Sequence, residues 1–231
     1  GNASQTVDCG SNGSAVQAIP DACYHFLNWS DSSTDNPRTD INVTSDINVT
    51  ANFAIDTFTL TYSSGGHGSI SGNASQTVDC GSNGSAVQAV PDACYHFLNW
   101  SDSSIDNPRT DINVTSDINV TANFAIDTFN LTTSSTAGGS VTTPGEPGPY
   151  NYDCGTNASI IATPSPCHYF LNWSGTGLDA GKVTNPNASS TTITMDANYS
   201  VTANFAVYTY NLTYTAGDHG YISGNTSQSV N

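Results

Sequence analysis

Basic residues are almost absent from this chain of 231 residues. Arg38, Arg109 and Lys182 stand against nineteen acidic residues, so the formal net charge is -16 at pH 7. A chain of that charge has little with which to neutralise phosphate groups or anionic lipid headgroups. We therefore expect no nucleic-acid partner and no binding to acidic membranes.

Long apolar runs are absent as well. No stretch of the sequence approaches the roughly 18 consecutive apolar residues of a transmembrane helix, so we expect no membrane insertion within this segment. No signal-peptide pattern is visible, which indicates a mature chain or a piece of a longer one. Helical periodicity is scarce, and the abundant Ser, Thr, Asn and Gly disfavour helices. The sequence predicts a mainly β protein.

Repetition is what the sequence has in abundance. The stretch Cys-Tyr-His-Phe-Leu-Asn-Trp-Ser occurs at 23–30 and at 94–101, and a variant with His and Tyr exchanged occurs at 167–174. We predict three modules and a remnant: repeat 1 (1–54, without its first hairpin), repeat 2 (55–125), repeat 3 (126–206, with insertions) and the first hairpin of a following module (207–231).

The two ends of the chain allow two interpretations. The C-terminal hairpin could complete the first module of a neighbouring subunit by strand donation. Alternatively, the 231 residues are part of a longer continuous array. Because residues 224–230 repeat residues 1–7, the ends overlap instead of joining, and this favours the longer array.

Alternating apolar residues predict the strands within a module. We expect a hairpin with its arms at 57–62 and 69–71 and its turn in the glycine-rich stretch between them. A short strand is expected at 15–19 and a core strand directly after Cys23. Further strands are expected at 41–43 and 47–53, the last with Ile47, Val49, Ala51 and Phe53 on one face.

The cysteines fall into one close pair per module. The pairs are separated by 14, 14 and 13 residues. A module of about 70 residues buries barely enough apolar surface to fold alone, so a disulfide would help to stabilise it. No second cluster accompanies the pairs, which disfavours a metal site. We predict one disulfide within each module, and hence an oxidising compartment outside the cytosol; the pairs are Cys9–Cys23, Cys80–Cys94 and Cys154–Cys167.

Three motifs in order resemble a known family: Tyr-His-Phe-Leu-Asn-Trp-Ser-Asp, Asn-Pro-Arg-Thr-Asp and Val-Thr-Ala-Asn-Phe. The chain is similar to the divergent internalin B-type repeat, also called the Listeria–Bacteroides repeat. The resemblance implies tandem, β-rich, β-grasp-like modules of secreted or surface-anchored microbial proteins, often stalk or adhesin segments. It implies no catalytic residues. The paired cysteines depart from the family pattern.

Sequons for N-glycosylation are unusually frequent. Seventeen of the twenty-five asparagines stand in Asn-x-Ser/Thr. Asn28, Asn99 and Asn172 lie between Leu and Trp, and we expect them to be too enclosed. The remaining candidates are Asn2, Asn12, Asn42, Asn48, Asn73, Asn83, Asn113, Asn119, Asn130, Asn157, Asn187, Asn198, Asn211 and Asn225.

Other residues that suggest chemistry have simpler explanations. His25 and His96 follow a tyrosine whereas His168 precedes one, so one shared role would require side chains on opposite faces of a strand. The loops at Asp31 and Asp102 offer oxygen donors for calcium but lack the Gly and the distal Glu of an EF-hand. We therefore expect no cofactor, with calcium as the one alternative. The tryptophans are expected in the core rather than on a sugar-binding platform.

The predicted function is structural. We expect an extracellular tandem-repeat protein, a segment of a filament, fibre or cell-surface stalk, stapled by disulfides and N-glycosylated. Its expected partners are neighbouring repeats, other copies in a fibre and covalent glycans. An adhesin or glycan-binding module is the alternative. An enzyme is not expected, because no acid–base pair or nucleophile set recurs in all three copies.

Overall fold

The computed structural model of the chain describes residues 4–230. Strands make up 48% of it and helix 2%, which confirms the prediction of a mainly β protein. The chain forms two compact units. The first runs to Asp92 and includes Phe97–Phe124; the second comprises Ala93–His96 and the chain from Ala125 onward.

Eight strands lie wholly or mostly in the described part of the first unit. They are β1 (Tyr24–Trp29), β2 (Ala51–Ile55), β3 (Thr57–Ser64), β4 (Gly68–Ser71), β5 (Ser75–Asp79), β6 (Gln88–Pro91), β7 (Tyr95–Trp100) and β8 (Ile118–Ile126). One sheet has the order β5-β3-β8-β7, while β4 pairs with β6 and β1 with β2. Strand β3 is antiparallel to β5 and parallel to β8.

The core of repeat 2 follows from the alternation along β3 and β8. Leu60 and Tyr62 of β3 are buried, as are Val120 and Ala122 of β8. Trp100 at the end of β7 is fully buried among them. The prediction that the aromatic block forms a core strand and that the tryptophan belongs to the core is confirmed.

The predicted hairpin at 57–71 is wrong. A turn does follow β3, but β4 pairs with β6 in a second sheet and not with β3. Gly68 explains how closely the two sheets approach, because a Cβ at Gly68 would lie 2.3 Å from Cζ of Phe124 in β8.

The predicted strand at 41–43 is also absent. Asn42 has φ 48, a left-handed conformation that interrupts an extended strand. At 15–19 the structure has only an isolated bridge between Val16 and Arg38, whereas the equivalent β6 of repeat 2 has β4 as its partner.

Repeat 1 is the most open of the three. Its predicted strand at 47–53 begins only at Ala51, where β2 starts, while the equivalent β8 begins at Ile118 beside its parallel neighbour β3. Ile47 is 47% exposed and Phe53 is 40% exposed. Trp29 nevertheless remains buried.

The second unit repeats this architecture with additions. Its strands are β9 (Thr128–Ser135), β10 (Gly139–Thr143), β11 (Tyr150–Asp153), β12 (Thr156–Pro164), β13 (His168–Ser174), β14 (Ser190–Met195), β15 (Tyr199–Val207), β16 (Tyr210–Thr213) and β17 (Ser227–Val230), with one short helix, α1 (Thr176–Asp179). The sheets have the orders β11-β9-β15-β13, β10-β12-β14 and β16-β17. Trp173, Leu131 and Ile193 are fully buried in its core.

The C-terminal strands form a small separate ladder. Tyr210 of β16 lies opposite Val230 of β17, as Phe58 of β3 lies opposite Val78 of β5. Every residue of β16 and β17 is exposed. Across residues 4–230, the structure has no helix long and apolar enough to cross a membrane.

Candidate functional site

Successive repeats are joined at a junction built around Asp56. Strand β2 ends at Ile55 and β3 begins at Thr57, so Asp56 is the single residue between them. Its N–H donates to the carbonyl of Cys23 (2.8 Å), and its carbonyl accepts from the N–H of Cys80 (2.8 Å). The two cysteines thus bond to the backbone of the same residue, and they form a disulfide with a Cα–Cα distance of 5.4 Å.

The same junction recurs in the second unit around Asp127. Its N–H donates to the carbonyl of Cys94, and its carbonyl accepts from the N–H of Cys154, both at 2.8 Å. Cys94 and Cys154 form the second disulfide, again with a Cα–Cα distance of 5.4 Å. A disulfide therefore connects one repeat to the next at both junctions.

The predicted pairs Cys9–Cys23, Cys80–Cys94 and Cys154–Cys167 are corrected by this geometry. One disulfide lies in each compact unit, but each joins the second cysteine of one repeat to the first cysteine of the next. Strand register is the reason: Tyr24 lies opposite Ile55 and Thr57 opposite Asp79, which brings Cys23 and Cys80 together. Cys9 and Cys167 are exposed and have no disulfide partner among residues 4–230.

A histidine lies beside each disulfide. His25 Nδ1 is 2.7 Å from Asp56 Oδ1, and His96 Nδ1 is 2.7 Å from Asp127 Oδ1. In repeat 3, Tyr169 occupies the strand position of His25, and its ring contacts the tilted ring of Tyr208 instead, with 5.0 Å between the ring centres. The predicted exchange of faces is confirmed, and a single chemical role does not recur.

Two arginines are buried structural residues whose role was not predicted from the sequence. Arg109 is 7% exposed and lies 5.6 Å from the centre of the Trp100 ring. Its Nη1 donates to Asp102 (2.7 Å), and its Nε and Nη2 donate to Asp111 (2.9 and 2.7 Å). Tyr62 from β3 donates its hydroxyl to the same Asp111 (2.6 Å). Repeat 1 has the equivalent cluster at Arg38, Asp31 and Asp40.

These contacts shift the acid–base properties of the cluster. Burial raises the pKa of the Asp111 carboxyl, but hydrogen bonds from Arg109 and Tyr62 outweigh it, so this pKa lies below its usual range. Burial raises the pKa of Tyr62, and the bond to Asp111 raises it further. The sequence contained one signal: two of its three basic residues occupy equivalent positions between aspartates, and buried cations are almost always paired.

The first aspartate of each acidic loop is bonded to one of these arginines. Asp31 and Asp102 each accept a hydrogen bond from an arginine, and each also caps a turn by accepting from Ser33 N or Ser104 N. Within residues 4–230, no group of three or more His, Cys, Asp or Glu side chains is arranged to hold a metal ion. That the chain holds no cofactor, with calcium as the one alternative, remains a prediction.

The asparagines of the described sequons fall into an exposed group and a half-buried group. Each described candidate asparagine is exposed; they are Asn12, Asn42, Asn48, Asn73, Asn83, Asn113, Asn119, Asn130, Asn157, Asn187, Asn198, Asn211 and Asn225. Asn2 lies outside the described residues. Asn28, Asn99 and Asn172 are half-buried, and each accepts a hydrogen bond from an asparagine on the neighbouring strand. Glycosylation itself remains a prediction.

Comparison with known proteins identifies the repeat. The divergent InlB B-repeat domain matches the chain three times, at residues 1–57, 58–128 and 129–209. The chain belongs to this family. No curated protein and no solved structure matches it. Each B-repeat match ends three residues after the module boundary predicted here, at 57, 128 and 209 instead of 54, 125 and 206.

Family membership sets the broad class of the protein. Tandem B-repeats together with disulfides indicate an extracellular or cell-surface repeat protein. The B-repeat family is typically non-enzymatic. In this chain the disulfides lie at the junctions between repeats.

Proposed function

We propose that this chain is a tension-bearing segment of an extracellular filament or cell-surface stalk. The observation that supports the proposal is that both disulfides join consecutive repeats. Disulfides within repeats would stabilise each module separately. Disulfides between repeats alter the path along which a pulling force travels through the chain.

The disulfides shorten the covalent path that carries tension along the chain. A force applied at the two ends passes from Cys23 directly to Cys80 and from Cys94 directly to Cys154 through the disulfides. Residues 24–79 and 95–153 lie outside this covalent path, so pulling on the ends cannot extend these segments while the disulfides are intact. These protected segments contain β3 and the buried Trp100, which belong to the core of repeat 2.

Hydrogen bonds support each junction beside the disulfide. The N–H and the carbonyl of Asp56 are both bonded to the cysteines, and Asp127 is bonded in the same way. With a single residue between β2 and β3, the two strands have no flexible linker between them. This suits a part that transmits force and not a flexible tether between independent domains.

The surface suits an exposed filament. With three basic residues in 231, trypsin-like proteases have few sites, and Arg38 and Arg109 are buried. The exposed sequons would allow a glycan coat where the producing cell has the machinery. The tryptophans that a sugar-stacking platform would need are buried instead.

Immuno-electron microscopy of the producing cells tests this function. An antibody against the folded chain should label filaments or stalks outside the cell, and a strain lacking the gene should lose both the label and the structures. Labelling confined to the cytoplasm, or diffuse label with the filaments intact in the deletion strain, would contradict the proposal.

A further inference from the structure

Two tyrosines of repeat 3 take the positions that a histidine and an aspartate have at the disulfide junctions. Tyr169 of β13 has the strand position of His25. Tyr208 follows β15 and has the position of Asp56, since the N–H of each donates to the carbonyl of the second cysteine of its repeat (2.8 Å). Repeat 3 has thus exchanged both members of the pair, and a pair of rings replaces a hydrogen-bonded pair.

The rings of Tyr169 and Tyr208 contact each other at the protein surface. Their centres are 5.0 Å apart and their planes are inclined by 44°, within the range in which aromatic rings pack. Tyr169 is 37% exposed and Tyr208 is 47% exposed. The equivalent positions are also open at a disulfide junction, where the side chains of His96 and Asp127 are 53% and 36% exposed. Solvent access at these two positions is therefore a property of the junction itself.

Contact and exposure together suit one-electron oxidation of the two phenols. A tyrosine that loses an electron and a proton becomes a phenoxyl radical, and two such radicals couple through the Cε carbons beside their hydroxyl groups. Because the two rings are held together, each radical finds its partner at a high effective concentration. The histidine and aspartate at the other junctions cannot react in this way.

We propose that Tyr169 and Tyr208 are a site of dityrosine formation, at which a haem peroxidase cross-links repeat 3. The bond would join the beginning of β13 to the residue that follows β15. Residues 170–207, which include the buried Trp173 and Ile193, would then lie outside the covalent path of the chain. This effect on tension rests on the proposed function, whereas the modification itself does not.

Hydrogen peroxide supplies the oxidising equivalents. Each phenol gives one electron and one proton to the peroxidase, and the O–O bond of the peroxide breaks as it takes up both electrons and both protons. The two phenoxyl radicals form one C–C bond between a Cε atom of each ring, and the hydrogen on each of these carbons moves to the phenol oxygen through solvent. Two tyrosines and one hydrogen peroxide thus give one dityrosine and two molecules of water, and the chain loses two hydrogen atoms.

A third tyrosine provides the matched control. The ring of Tyr210 in β16 is stacked beside that of Tyr208, with 6.4 Å between the ring centres and 29° between the planes. Tyr210 is 60% exposed, so it is more accessible than Tyr169 but lies further from Tyr208. A bond between Tyr169 and Tyr208 would therefore reflect their closer contact and not exposure alone.

Peroxidase treatment of the 231-residue chain tests the site. Horseradish peroxidase and hydrogen peroxide are added at low protein concentration, the monomer is isolated by size-exclusion chromatography, and its dityrosine fluorescence is measured. Tyr169→Phe and Tyr208→Phe keep the ring but remove the hydroxyl that radical formation needs, so each should lower this fluorescence at least about tenfold. Tyr210→Phe should leave it unchanged.

Three results would overturn the inference. The first is a monomer of the unmodified sequence without dityrosine fluorescence, and the second is equal fluorescence in all of the chains. The third is a loss with Tyr208→Phe and Tyr210→Phe but not with Tyr169→Phe, which would assign the bond to the stacked pair. Thermal unfolding before treatment should be the same for all of the chains, because each variant keeps its exposed ring.

Peptide mapping of native secreted material tests whether the bond is made by the producing cell. After reduction of the disulfides, the peptides of Tyr169 and Tyr208 should be found joined, with a mass lower than their sum by two hydrogen atoms. Separate peptides from material that forms extracellular filaments would overturn the cross-link and leave the proposed function intact. Joined peptides from material that forms no filaments would overturn that function and support the cross-link.

Discussion

Cys23 and Cys80 are 57 residues apart in the chain and form a disulfide. Each of them also makes a backbone hydrogen bond to Asp56. Strand register produces this relationship, because the start of β1 and the end of β5 both meet the point where β2 passes into β3. The disulfide is therefore a feature of the junction between repeats. The predictions below follow from this junction and from the cores that it connects.

Removing one junction disulfide should destabilise the first unit. The Cys23→Ser/Cys80→Ser double variant opens a loop of 57 residues, for which chain entropy gives a loss of about 4 kcal/mol. Thermal unfolding and native-state hydrogen exchange of the β3 amides measure the loss. Cys9→Ser is the control and should leave stability unchanged; equal effects of the two variants would refute the assignment of the bond.

A methyl group at Gly68 should disturb the contact between the two sheets of repeat 2. Its Cβ would lie 2.3 to 2.7 Å from three ring atoms of Phe124, so the ring must move. We expect Gly68→Ala to cost about 1–3 kcal/mol by overpacking. Gly66→Ala, where nothing lies within 4 Å, should cost clearly less. Denaturant titration of both variants checks the difference.

Replacing the buried Arg109 should lower stability more than replacing the exposed Lys182. Arg109→Ala leaves Asp111 and Tyr62 without their cationic partner and removes the contact with Trp100, for which we expect a loss of about 3 kcal/mol. Lys182→Ala breaks the exposed pair with Asp196 and should cost clearly less, because solvent screens an exposed ion pair. Comparable losses in chemical denaturation would show that Arg109 is not a core element.

Lowering the pH should destabilise repeat 2 through protonation of Asp111. The pKa of this carboxyl is lower in the folded state than its ordinary value of about 3.9, so the unfolded chain takes up the proton first. The stabilisation is present above that ordinary value and is lost as the pH falls through the folded pKa. Asp111→Asn should flatten the acid limb of a stability-versus-pH curve, and an unchanged limb would contradict this role.

Glycan occupancy, where the producing organism N-glycosylates, should follow exposure. We expect glycans on exposed sequons such as Asn12 and Asn83, and none on the half-buried Asn99, whose Oδ1 accepts from Asn123 Nδ2 (2.9 Å). Glycopeptide mapping of secreted material checks this site by site. A glycan on Asn99 would show that this strand is accessible before the module folds.

Sequence alone predicted the β class, the repeats and the core. The alternation of Leu60 and Tyr62 and the apolar block before Trp100 specify buried faces locally, and the structure buries these residues. Family motifs in the same blocks predicted the B-repeat assignment. These features depend on neighbouring residues, so a one-dimensional pattern is sufficient to find them.

The features that were not predicted from the sequence depend on which strands, far apart in the chain, pair with each other. Cysteines 14 residues apart suggested pairing within a module, but the ladder of β3 and β5 brings Cys80 to Cys23 instead. The turn after β3 is visible in the sequence, yet nothing local shows that β4 joins β6. The burial of Arg109 was not predicted, because it depends on contacts made only in the fold: Tyr62 of β3 bonds to Asp111, and the Trp100 ring packs on the guanidinium.

Single-molecule stretching of the 231-residue chain, pulled at its ends with and without a thiol reductant, tests the tension path most directly. The fully extended chain should lengthen on reduction by two steps of roughly 190 and 200 Å, because the bonded cysteines are 57 and 60 positions apart and each position adds about 3.4 Å. Steps of only about 45–50 Å, as bonds within repeats would give, or no change in length on reduction, would contradict the account.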